Sequence, residues 1–579
     1  MDGDPGGTNH RSPRARVAWV ALLIYSILAV AVFAAVWVNP TGAWVGDNKD
    51  PKLFIWYLGW IPHEVSQLHN PLVTDYLSYP PGVNLMWNTS LVFPALVLWP
   101  VTAIFGPVAA YNALMTGAVA LSAWLGFLAA QRFLDRPLVS LFAGFLYGFS
   151  PGMMAQATGH PHAMIGLFAP LALILGHEIL VRQRLRPMLA GGVAGIAAAL
   201  QLLTGEEVLA ATALVAVLGV VLLAILHRHS VARRLPYVAK AVGAAVLSFA
   251  VIAAYPLAVQ FFGPQRVYGD VQRPDVYVSD LLAFFVPNHV LLHSSATTEI
   301  VSHFTGNSTE DNAYLGLPLM VLFGLGLVAG WRRPSIRWAG LLTLAIAILS
   351  LGPHAHIYGQ TTPVWLPWSA VAWLPLMGNA VPSRLMLIAF LGVGIVVGSL
   401  WVARDRPTRR WQFGTSALLV VGLVSVIPAI PATSTTASAP TFFQAGGSVE
   451  SIPAGSVVLV TPFSSRQSTD AMFWQTLAGY RFRMPEGDAF TPGPYLGPHP
   501  SHIQASLDAL DQGQTVAVSS LERDQALRDL AGFRATTIVA GPSPGHDAIV
   551  AYLTLVVGAP PQQTEGVDVW WHFLPIATP

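Results

Sequence analysis

The 579-residue sequence contains no cysteine. It can form no disulfide, offers no thiolate nucleophile and binds no metal through sulfur. Charge is also scarce. Only 10% of residues are Asp, Glu, Lys or Arg, and 30 basic side chains against 29 acidic ones leave a net charge of +1. No overall field attracts nucleic acid, so no nucleic-acid partner is expected. A Walker motif, a GxGxxG fingerprint and a GxSxG elbow are all missing from any usable context. An ATP-driven pump, a nucleotide cofactor and a serine hydrolase therefore lack support. Apolar residues, by contrast, are abundant: they make up 54% of the chain, and mean hydropathy is +0.55. They come in runs of roughly 17–25, the length of a membrane-spanning helix. The fold class read from this is a polytopic α-helical membrane protein, with the lipid bilayer as its first partner.

Basic residues order the spans. Clusters at 11–16, 131–136, 182–186, 227–234, 331–337 and 403–410 hold most of the arginine. Short basic loops face the cytoplasm. Alternation of these clusters with less basic loops gives about eleven spans by hydropathy, near 17–38, 109–130, 138–150, 163–181, 188–204, 206–226, 237–260, 313–330, 336–352, 384–402 and 412–430. Residues 1–16 read as a disordered cytoplasmic N-terminus. The proline-interrupted run 91–105 reads as an interfacial or re-entrant helix within a large outer loop, 39–108. An odd number of spans places the C-terminus, and the integral protein's distinctive polar loops, outside the cell membrane. Five such loops fall on that face: 46–82, 150–162, 204–207, 261–312 and 352–384.

After the multispan region, 17–430, composition changes. The Pro/Ala/Thr/Ser stretch 431–440 reads as a linker. From 441 to 579 strand-like runs (456–462, 536–541, 567–574) alternate with helical ones (468–479, 502–512, 521–532, 546–558). That alternation predicts a small extracytoplasmic α/β domain.

One first span, an outer loop with the acidic pair of "GDNKD" and an aromatic run, then "SPGMMAQATGH" after the third span and "STED" before the eighth: this layout resembles glycosyltransferases of the GT-C fold. The likeness covers roughly residues 17–430. The chain is also similar to uncharacterised bacterial multispan relatives of that fold through "YPPG" and "VPSR". The resemblance implies transfer of a sugar from a polyprenyl-phosphate donor to an envelope glycan or protein acceptor, with a catalytic acid in the first outer loop. Here the acids are spaced Asp47-x-x-Asp50 rather than Asp-x-Asp, and His160 and His162 stand where many relatives carry a carboxylate.

Each candidate has a bland alternative. Asp50 precedes Pro51, the pattern of a helix start; as a catalytic group, it or Asp47 would act as general base or hold a metal. Of the two, Asp50 is favoured, because a helix start fixes a side chain better than a loop. The aromatic run 53–61 reads as an interfacial belt. His160 and His162, with Glu310, are candidate ligands for a divalent metal (Mg, Mn or Zn), or else belong to a capped turn. Glu206 and Glu207 follow Thr204, which favours first-turn acids of a capped helix; Glu310 and Asp311 follow Ser308 and Thr309 and can be read the same way, but rank second to the first loop as site residues. As site residues Glu206, Glu207 and Asp311 would contact substrate. Arg384 opens a span on the outer side, against the positive-inside trend; its partner would be a phosphate or a loop carboxylate. Two rival functions stand beside the transferase. A transporter or flippase predicts ionisable groups at mid-membrane and internal repeats. A non-catalytic envelope scaffold predicts that Asp50, His160 and Glu310 do not converge.

Overall fold

A computed structural model describes residues 13–46, 49–227, 231–269, 273–374, 377–402, 408–464, 468–493 and 499–572. Each of the eleven apolar stretches contains a helix: Pro13–Val32, Pro107–Leu134, Pro137–Gly148, Phe168–His177, Pro187–Leu202, Glu206–Leu226, Val231–Phe262, Gly316–Gly330, Pro334–Ser350, Leu385–Gly398 and Arg409–Ser425. Proline occupies the first turn of several, including those at 107, 137, 187 and 334, where its missing N–H costs no bond. Among the described residues, seven helices are long and apolar enough to cross a membrane. Pro187–Leu202, Gly316–Gly330 and Pro334–Ser350 are apolar but shorter. Sixteen residues of helix reach only about 24 Å, less than the roughly 30 Å hydrocarbon core. The first helix begins at Pro13, inside the segment expected to be disordered.

The Leu385–Gly398 helix lies at the centre, with nearly every side chain buried. Small residues let its neighbours approach closely. A Cβ on Gly394 would sit 2.8 Å from Ala143 Cα.

Run 91–105 is two short helices, Val92–Val97 and Trp99–Phe105. The segment before it is not a lipid-facing belt. The Asp50–Ser66 helix buries every residue from Phe54 to Pro62, because the C-terminal region covers it. Trp56 Nε1 donates to Gln475 Oε1 at 2.7 Å, and Tyr480 Oη donates to the Trp56 carbonyl at 2.8 Å. Trp44 meets Phe473 edge-on at 5.2 Å. These aromatics belong to one apolar core that runs from the first helix into residues 442–484.

Residues 441–571 form a four-stranded sheet, Val458–Thr461, Thr537–Ala540, Val567–Trp570 and Gln562–Thr564 in spatial order. The first pair is parallel and the other two are antiparallel. Helices His502–Asp511, Ser520–Phe533 and His546–Val557 supply a second apolar cluster on one face. The expected linker is ordered: Ser434–Thr436 pairs antiparallel with Ala43–Val45. Buried Asn112 fixes that strand, accepting from Val45 N at 3.2 Å and donating to the Ala43 carbonyl at 2.7 Å.

Candidate functional site

Four helix ends and the turn before the Pro161–Met164 helix meet, and each brings an ionisable group. Asp50 opens its helix, yet makes no cap; Lys49 is the N-cap residue and no side-chain cap bond forms. The Asp50 carboxylate instead accepts from His160 Nε2 at 3.0 Å. Gly46 makes that approach feasible. Its φ is +102°, and a Cβ there would lie 2.3 Å from the Thr158 carbonyl oxygen, so only glycine fits this close passage of two loops. Asp47 lies outside the described residues.

His160 is held from its other nitrogen as well. Nδ1 donates to Gln156 Oε1 at 2.9 Å and lies 3.3 Å from Glu310 Oε1. Arg384 Nη2 also stands 3.4 Å from Nδ1, but the acceptors at both nitrogens favour the protonated ring. Burial pushes the imidazole's pKa down, but hydrogen bonds to Asp50 and Glu310 outweigh it and the net shift is upward. Glu310, with 3% of its side chain exposed, receives Arg384 Nε at 3.1 Å on both oxygens. Burial would raise its pKa, but the Arg384 charge and the His160 hydrogen bond hold it far below the ordinary carboxylate range. Arg384 Nη1 pairs with Glu207 Oε2, and Glu207 Oε1 accepts from Val381 N at 2.9 Å. The result is a chain in which acidic and basic side chains alternate: Asp50, His160, Glu310, Arg384, Glu207.

The expected side-chain caps do not form at these points: Asp50, Glu207 and Glu310 bond across the site, and the hydroxyls bond elsewhere. The Glu206 helix starts from Gly205 without a side-chain cap, and Thr204 Oγ1 donates back to the Leu200 carbonyl. Asn307, not Ser308 or Thr309, precedes the Ser308–Glu310 turn. The turn at His160 has no side-chain cap either. Glu206 stands aside from the network, accepting from Gln260 Nε2 at 2.8 Å. Asp311 also stands apart; burial, with Glu310 and Asp280 nearby, pushes its pKa up to about 8.

His162 presents Nε2 to Arg384 Nη1 at 3.3 Å and packs on Phe54 at 5.5 Å between centroids. The three expected metal ligands, His160, His162 and Glu310, thus surround a guanidinium. Among the described residues no three His, Asp or Glu side chains are grouped to hold a metal ion. For Arg384, the carboxylate partner is the one observed.

Sequence reasoning passed over Gln156, Asn312 and Ser383. Gln156 Nε2 lies 3.1 Å from Glu310 Oε2 and 3.0 Å from Asn312 Oδ1; Asn312 Nδ2 reaches Glu310 Oε2 at 3.2 Å and Ser383 Oγ at 3.3 Å. Each lies in a polar motif beside a charged candidate, the one signal that could have flagged it. The site is deep but not sealed: Asp50 has 23% of its side chain exposed, against 12% for His160 and Arg384. It can orient a carboxylate toward solvent, with a buried, compensated charge network behind it.

No curated protein matches this sequence. Among solved structures, arabinofuranosyltransferase AftD from Mycobacteria aligns over 96% of this chain with a TM-score of 0.55 and 15% identity. The chain spans 42% of that enzyme's length. The archaeal oligosaccharyltransferase AglB from Archaeoglobus fulgidus, in complex with an inhibitory peptide and a dolichol-phosphate, gives a TM-score of 0.44 at 13% identity, over 91% of this chain and 70% of its own. ArnT from Cupriavidus metallidurans, bound to undecaprenyl phosphate, gives 0.43 at 12% identity, over 96% and 97%. The first of these likenesses establishes the GT-C fold. By sequence, the chain belongs to the family described as Domain of unknown function (DUF6311), whose model matches residues 21–377.

Proposed function

We propose that this protein is an integral-membrane glycosyltransferase that moves a sugar from a polyprenyl-phosphate donor to an envelope glycan or protein acceptor. The observation that carries the reading is the convergence of Asp50, His160 and Glu310 from separate loops, with Asp50 on the accessible side. A scaffold has no need of such a network, since a buried ionic cluster is weak as a source of stability. In this reading the N-terminus is cytoplasmic, and the site and sheet domain are extracytoplasmic.

Asp50 is the general base. Its carboxylate takes the proton of the acceptor hydroxyl as that oxygen attacks the anomeric carbon; the bond to the donor phosphate breaks and the lipid phosphate leaves. His160 orients Asp50 by donating to one of its oxygens. Arg384 is a positioning residue: its guanidinium is shared by Glu310 and Glu207, and it fixes Glu310 behind His160. Asp47, three residues before Asp50, is a second carboxylate of the same loop.

The test uses membranes containing the protein or its Asp50→Asn variant, given labelled polyprenyl-phosphate sugars and native envelope acceptors. Transfer of label by the wild type, reduced at least 100-fold in the variant, is the expected result. Folded wild-type protein that transfers nothing from any donor would overturn the proposal.

A further inference from the structure

A cavity of about 480 Å³ lies away from the charged site. It runs down the bundle between the helices carrying Leu173, Val215, Trp338 and Leu391, toward the end remote from Asp50. Its inner end reaches Thr212, about 7.5 Å along the helix from Glu207. Its other end is marked by His227, fifteen residues further on, or about 22 Å. Val181 and Val220 stand exposed at its edge, so it opens sideways from the bundle.

Three observations fix what fills it. First, the lining is overwhelmingly apolar, and an apolar space of this size gives water too few hydrogen-bond partners. Left empty, its walls would lose dispersion contacts. Second, its length, about 22 Å, exceeds one leaflet of hydrocarbon, about 15 Å, but falls short of the full core of about 30 Å, so a single chain entering from one side spans it. Third, the basic side chains of the lining, Arg132, His177 and His227, gather at the remote end, while the inner part carries only the hydroxyls of Thr212 and Thr343. His177 Nδ1 is buried and makes no hydrogen bond among the described residues. Apolar length with a basic mouth complements one molecule shape, a hydrocarbon chain ending in a negatively charged head.

We propose that this cavity holds an acyl chain of an anionic phospholipid from the leaflet remote from Asp50, with its headgroup against Arg132, His177 and His227. The lipid completes the packing of the bundle between the Pro161–Arg182, Glu206–Leu226 and Pro334–Ser350 segments. It is a structural ligand, independent of the transferase reading.

The test uses the full chain purified in detergent, with phosphatidylglycerol or phosphatidylcholine carrying matched acyl chains. Native mass spectrometry is expected to retain phosphatidylglycerol at least fivefold over phosphatidylcholine. Arg132→Gln/His227→Gln should abolish that preference, and Ala172→Phe should lower retention of both lipids. Should these variants fail to fold, quenching of the wild type by phosphatidylglycerol brominated on its acyl chains gives the same answer. Trp338 lines the cavity, so the quenchable fraction should fall in Trp338→Phe. Equal retention of the two headgroups, quenching indifferent to Trp338, or recovery of a polyprenyl phosphate as the retained species would each overturn the proposal.

Discussion

Replacing Arg384 with glutamine removes the centre of the charge network, and the structure sets the size of the effect. Glu310 loses Nε contacts of 3.1 Å to both oxygens, and Glu207 loses its charged partner. Removing one partner of a buried ion pair costs about 3–5 kcal/mol. Glu310 keeps Gln156 at 3.1 Å, Asn312 at 3.2 Å and His160 at 3.3 Å. Those survivors place Arg384→Gln at the low end, about 3 kcal/mol. Glu310→Gln should cost a similar amount, because it leaves Arg384 with Glu207 alone. The double variant leaves no uncompensated Glu310–Arg384 charge, so its cost should fall about 2 kcal/mol short of the sum of the singles. Sodium dodecyl sulfate unfolding in mixed micelles, followed by tryptophan fluorescence, measures all four proteins. Additivity within about 0.5 kcal/mol, or a single-variant cost below 1 kcal/mol, would refute the view that Arg384 acts through Glu310.

Further expectations concern pH and packing. Glu310 has a depressed folded pKa, so its stabilisation is present above its unfolded value of about 4.3 and is lost as pH falls toward the folded value. The stability gap between wild type and Glu310→Gln should therefore close on acidification, read by the same unfolding assay. His160 has the opposite sign: its folded pKa is raised, so its contribution is full below about 6.5 and fades as pH rises through the folded value. The gap to His160→Gln should accordingly shrink at alkaline pH. Asp311, raised to about 8, disfavours the fold increasingly as pH rises from about 4 to 8, so Asp311→Asn should stabilise the protein more at pH 8 than at pH 5. Gly46→Ala would place a Cβ 2.3 Å from the Thr158 carbonyl oxygen; transfer activity should fall at least tenfold, with a smaller loss of stability, as the Asp50–His160 contact opens. Gln475→Leu strips partners from Trp56, Tyr76 and Phe482 and should cost roughly 2–3 kcal/mol, seen as earlier protease cutting at the sheet domain.

Hydropathy pointed to stretches that each contain a helix, seven of them long and apolar enough to cross a membrane among the described residues, because a long apolar run has few other stable forms; strand and helix periodicities marked the C-terminal elements except the strand Gln562–Thr564. Charge scarcity made the remaining polar residues conspicuous, which is why Asp50, His160, His162, Glu207, Glu310 and Arg384 could be singled out before any of them was seen together. Pairing was not legible. Local rules offered Asp50 a cap and the glutamates a first turn behind one; Glu206, Glu207 and Glu310 do lie in first turns, but the Thr204 and Ser308 caps do not form and Asp50 is not the N-cap of its helix. The aromatic run 53–61 has the composition of a membrane belt, yet it is core, because residues 442–484 fold back over it. The Ser/Thr-rich stretch 431–440 has the composition of a flexible linker, yet part of it pairs as a strand with Ala43–Val45. These outcomes depend on which segments lie against each other across stretches of chain from 74 positions, between Glu310 and Arg384, to 419, between Trp56 and Gln475. Sequence fixes each residue's chemistry and local periodicity; only the tertiary structure decides which donor meets which acceptor, since long-range contacts leave no periodic trace.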